Sequence, residues 1–197
     1  MQHAATNITP NDIAKFWRDA GPEKWYKQSD EFDAEIRDRF QNIWETARAG
    51  ALDHWQETAD GAFALLILTD QFPRNMFRGD ARAFATDDLA RNIARHAVDQ
   101  GWDLQTTEPE RQFFYMPFMH SESPDDHDDC VRLVADRMQN RDTLLHAQVH
   151  REIIRRFNRF PYRNDALGRT TTEAEHRFLN EEGGYAAIVQ NLKSQEK

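Results

Sequence analysis

The sequence predicts an all-α protein, on three observations. Apolar residues recur at intervals of three and four along most of the chain, strict alternation is nowhere sustained over a strand's length, and glycine or proline closes most periodic runs. Helices joined by short connections pack antiparallel, so the architecture expected is an antiparallel helical bundle of stacked helical hairpins.

The elements follow in order. Asn11 and Asp12 can cap a first helix carrying Ile13, Phe16 and Trp17, which Gly21-Pro22 ends. Phe32, Ile36, Phe40, Ile43, Trp44 and Ala47 form the apolar stripe of a second helix, stopped at Gly50. A third, about Gly61 to Gln71, is apolar nearly all round and so central to the core, and it closes at Phe72-Pro73. A fourth covers about Ala85 to Gln100, with Leu89, Ile93, Ala94 and Ala97 on one face and a stop at Gly101. A fifth runs from about Pro109 to Met119, a sixth from about Asp128 to Met138, and a seventh from about Arg141 to Phe157. Thr172-Glu173-Ala174-Glu175 reads as a capping box for a short last helix that Gly183-Gly184 terminates. Residues beyond about Gln190 are polar and are expected to fray.

Composition narrows the class. At 197 residues and 39% hydrophobic content the chain suits one domain, 1–197, with an ordered core over about residues 10–188. No run approaches the roughly 20 apolar residues that span a bilayer, and the amino terminus lacks a secretory pattern, so a cytoplasmic protein without membrane partners is expected. Cys130 stands alone in the apolar phase of Val131, Leu133 and Val134, which excludes an intrachain disulfide and a Cys-rich zinc site and points to a buried structural thiol. A net charge of −9 opposes nucleic-acid binding. Of the 25 basic residues only 5 are lysine, and arginine's planar fork suits carboxylate and phosphate.

Several constellations could carry chemistry. Asp70 ends the most apolar helix and needs a cation, with Arg74 or Arg163 as its natural partner; the plainer reading is a buried clamp on the Pro73 turn. Arg155, Arg156, Arg159, Arg163 and Arg169 make a local basic excess opposed only by Asp165, and the first two suit a helix surface. His120 and Glu122 can converge if the helix before them ends at Ser123-Pro124. His146 and His150 are four apart, with His150 on the apolar stripe and His146 at its margin; a hydrogen-bonded core histidine is the default for His150. Asp125, Asp126, His127, Asp128 and Asp129 read as a solvated helix start. Phe72-Pro73-Arg74-Asn75 is echoed by Phe160-Pro161-Tyr162-Arg163-Asn164.

These motifs, with Phe16-Trp17, Trp25-Tyr26, Phe32-Asp33, Asp70-Gln71, Arg78-Gly79, Pro117 to Glu122 and Leu167-Gly168-Arg169, resemble those of one bacterial family, the domain of unknown function nine-two-four, over about Phe16 to Gly184. The resemblance implies an all-α fold of the tetratricopeptide-like class and no established activity. The family pattern usually has glycine and histidine where this chain has Asn158 and Tyr162.

The function expected is a small-molecule enzyme or sensor with an Arg/His/carboxylate pocket that binds and turns over a small anion. His120, Glu122, His150 and Asp70 are the candidate catalytic residues; Arg74, Asn75, Arg159, Arg163, Asn164 and Arg169 are the candidate substrate contacts. No cofactor or metal is called for. A helical module that docks a partner protein and a divalent-metal hydrolase built on His120, Glu122 and His150 are the alternatives.

Overall fold

The computed structural model describes residues 8–195, and among them all regular structure is helical. The chain divides into two compact units, one of residues 8–78 and 83–105, the other of residues 79–82 and 106–195.

In the first unit, α1 (Pro10–Tyr26) begins at Thr9, whose hydroxyl accepts from the Asp12 N–H while the Asp12 carboxylate accepts from the Thr9 N–H. The cap is thus Thr9, not Asn11 or Asp12; Asp12 supplies the return bond of a capping box. Gly21-Pro22 interrupts the helix as the sequence predicts, at φ 73° for Gly21, but helical turns resume to Tyr26. The second helix, α2 (Asp30–Arg48), buries Phe32, Ile36, Phe40, Trp44 and Ala47. Its rings meet α1 and Phe72, with Phe16 lying 4.9 Å from Phe40 and Phe40 4.8 Å from Phe72 between centroids.

The central helix departs from expectation. From α3 (Ala59–Leu66) the chain does not stop at Phe72-Pro73 but passes through a π-helical turn, Ile67–Gln71, into α4 (Phe72–Met76). The Phe72 N–H reaches back five residues to the Ile67 carbonyl, and the wider turn makes room for the Pro73 ring. Proline leaves the Thr69 carbonyl without its helical donor, and the Thr86 hydroxyl replaces it at 2.6 Å. Thr86 in turn accepts from Trp44 Nε1 at 3.1 Å. Every residue from Ala62 to Pro73 is buried, as the all-round apolar pattern requires. At Gly61 a Cβ would overlap the Trp55 carbonyl, so only glycine admits this approach. The unit closes with α5 (Asp87–Asp99), which packs Ala90, Ile93, Ala94 and Ala97 inward and starts two residues later than predicted.

The second unit opens on a 3-10 turn, Glu110–Phe114, and the short α6 (Met116–Met119), where the sequence suggested one continuous helix. A hairpin follows: α7 (Pro124–Arg137) and α8 (Arg141–Phe157), joined at Asn140, whose side chain caps α8. Glu108 holds the hairpin turn by accepting the N–H groups of Gln139 and Asn140 at 2.7 and 3.1 Å. The helix α9 (Glu173–Asn180) has the capping box read from Thr172 and Glu175. Gly183-Gly184 ends it but does not end the helical chain: α10 (Gly184–Gln195) packs Ile188 on the core of Leu145, Val149, Ile153, Phe160 and Phe178. Residues 191–195, expected to fray, belong to α10, where Leu192 packs against that core; residues 196 and 197 lie outside the described residues.

Candidate functional site

Of the candidate residues, Asp70, Arg74 and Asn75 fall in the first unit and the others in the second. Asp70 sits on the π-helical turn, buried, where Arg74 Nη1 donates to its backbone carbonyl at 2.6 Å and lies 3.2 Å from Oδ1. Gln71 Nε2 donates to Asp70 Oδ2 at 2.5 Å, and Arg74 Nη2 meets Asp87 Oδ1 at 3.0 Å. This is the clamp on the Pro73 turn. Asn75 donates to Asp33 Oδ1 at 2.7 Å, and Arg78 forms a two-pronged pair with the same buried carboxylate. Both networks tie α4 to its neighbours.

The second unit gathers two imidazoles and a guanidinium around one ring, with a third imidazole against one of the two. Phe160 is fully buried, with the Arg163 guanidinium 4.4 Å above its face. The His150 and His127 rings stand 5.5 and 5.8 Å from it, edge-on, and His120 lies 6.3 Å from His150. The local chain conformation explains the placement. After α6 ends at His120, its carbonyl accepts from Arg163 Nη2 at 2.9 Å, and the following turn brings Ser121 and Glu122 back toward Phe160. On α8, His150 faces inward and His146 lies at the more exposed margin against the Tyr185 hydroxyl, at 2.5 Å.

Glu122 accepts from the Phe160 N–H at 2.9 Å and from both Nη atoms of Arg169, at 2.9 and 2.8 Å. Burial pushes its carboxyl upward, but the bonds from Arg169 and Phe160 and the charges of Arg169 and Arg163 outweigh it and hold the group below the usual range. Arg159 grips Glu175 through Nε and Nη2 at 2.5 and 2.8 Å and gives Nη2 also to the Thr170 carbonyl. That bond and the Thr172 cap lower Glu175 to about 2, so Arg159 secures the start of α9. Asn164, buried, donates to Thr171 and Glu175 at 3.2 and 3.3 Å, while its Oδ1 has no hydrogen-bond partner.

His127 is the residue that its acidic surroundings hide. Asp126 and His127 are buried rather than solvated, with the Asp126 carboxylate accepting from Ser121 Oγ at 2.6 Å. The spacing His127, Cys130, Val134 is the signal that places the imidazole on the apolar face. Burial lowers His127 to about 4, and burial together with the charge of His120 lowers His150 to about 3, so both rings are neutral near pH 7. Burial raises the Cys130 thiol to about 12, as suits the structural thiol expected. Among the described residues no three His, Cys, Asp or Glu side chains stand where they could hold a metal ion. The hydrolase built on His120, Glu122 and His150 therefore lacks its ligand geometry, with Glu122 committed to Arg169.

Residues 13–183 match the family described as bacterial protein of unknown function (DUF924). The chain belongs to this family. A similar protein has been solved: the protein of unknown function ATU0120 from Agrobacterium tumefaciens is 42% identical, at a TM-score of 0.84 over 87% of this chain and 97% of that one. No curated protein is similar to the sequence. The DUF924 match covers every residue of the imidazole cluster, while α10, which brings Tyr185 to 5.4 Å from His150, lies beyond it. No described helix is long and apolar enough to cross a membrane.

Proposed function

We propose that this protein is a cytoplasmic enzyme or sensor that binds a small anionic molecule at the Phe160 cluster. The observation that carries the reading is a guanidinium, Arg163, only 5% exposed, stacked on Phe160 and set beside His120, His127 and His150. Grouping such costly side chains in an apolar interior is the signature of a site more than of a scaffold. Arg163 supplies the cation, His120 and His150 exchange a proton with the ligand, and the Glu122–Arg169 pair holds the Phe160 turn. Arg74 and Arg159, each engaged by carboxylates, serve the fold in this reading.

The test is a melting-temperature survey of the purified protein with phosphates, carboxylates and nucleotides. An anion at 100 times its dissociation constant adds about 2.7 kcal/mol, a shift of several degrees in a chain of this size. The shift should vanish in Arg163→Gln. No shift with any anion would sink the reading in favour of a helical module that docks a partner protein.

A further inference from the structure

Two of the imidazoles have their tautomers set by the backbone. His127 Nε2 lies 2.7 Å from the Ser121 carbonyl and His150 Nδ1 3.1 Å from the Met119 carbonyl. A carbonyl only accepts, so each of those nitrogens carries the proton and the opposite nitrogen, His127 Nδ1 or His150 Nε2, presents a lone pair. His127 is wholly buried and its Nδ1 has no hydrogen-bond partner. Asn164 Oδ1 is another buried acceptor without a donor in this unit. An unmet acceptor in an apolar interior costs free energy that a ligand's donor recovers. A metal cation is a poor candidate for these lone pairs, since the Arg163 charge acts on both rings.

Resting on the anion reading above, we propose that the ligand is an oxyanion that also carries an O–H, as monohydrogen phosphate or an α-hydroxycarboxylate does. Arg163 meets its charge, while the ligand's single O–H donates to His127 Nδ1. Sites built to accept from a hydroxyl reject an analogue lacking it, because the acceptor is then buried unpaired.

The experiment is calorimetric titration of the full chain, above neutral pH, with two matched pairs: phosphate against sulfate, and glycolate against acetate. The donor-bearing member should bind about 10- to 100-fold more tightly in each pair. His127→Leu should erase that preference while leaving residual binding of both. Equal binding within both pairs overturns this inference and leaves the anion reading standing; no binding by any of the four overturns both. Should His127→Leu fail to fold, nitrogen-15 spectra of the imidazoles in the unaltered protein decide. A proton on His127 Nε2, with His127 Nδ1 shifting on phosphate addition, supports the proposal, and the opposite tautomer overturns it.

Discussion

Asn158 shows how a single residue records the path of the chain. It closes α8 in the left-handed conformation, φ 53°, with its N–H on the Ile154 carbonyl at 2.8 Å, and it turns the backbone so that Arg159 and Phe160 face opposite tasks. Asparagine tolerates that conformation and glycine adopts it freely. Asn158→Gly should therefore raise stability by up to about 1 kcal/mol, read as a higher urea midpoint at unchanged slope. A lowered midpoint would show that the Asn158 side chain does more than tolerate the turn. At this scale the arginine-rich stretch was legible in sequence but its fates were not. Arg159 and Arg169 find Glu175 and Glu122, 16 and 47 residues away, and only packing reveals which guanidinium is engaged by which carboxylate.

Among the elements, the passage from α3 to α4 is the one where local rules misled. Proline forbids the ordinary helical bond to the Thr69 carbonyl, so a stop at Phe72-Pro73 was the natural expectation. The helix continues because the π-helical turn and a side chain from 17 residues away, Thr86, jointly satisfy what proline leaves open. Thr86→Val removes both bonds of that hydroxyl and strands the Thr69 carbonyl and Trp44 Nε1, which are buried. A loss of about 2–4 kcal/mol is expected by urea unfolding, whereas Thr86→Ser should retain most of the stability. Equal stability in Thr86→Val would mean that the π-helical turn holds without it.

For the molecule as a whole, the buried imidazoles couple stability to pH. In the unfolded chain each titrates near 6.5, whereas in the folded protein His127 and His150 remain neutral down to about 4 and 3. Between these limits the unfolded state binds more protons, so stability is greatest above pH 6.5 and falls as pH drops toward 4. With both rings contributing, the slope should approach about 2.7 kcal/mol per pH unit near the middle of that window. The Glu175 carboxyl, lowered from 4.5 to about 2, extends the loss below pH 4.5. Urea midpoints measured across the series should show this fall, made shallower by His127→Gln; a flat profile between pH 6.5 and 4 would refute it.

Sequence alone determined the all-α class, the cap at Thr172, the span of α8 and the inward face of His150. Those features depend on contacts within a few residues, which periodicity and capping chemistry record directly. The tertiary structure alone decided that His127 is buried inside an acidic run, that Gly183-Gly184 leads into α10, and that Phe160 is the ring on which His127, His150 and Arg163 converge. Each of these rests on partners far apart in the chain, and local pattern carries no information about which distant side chains will share an interior.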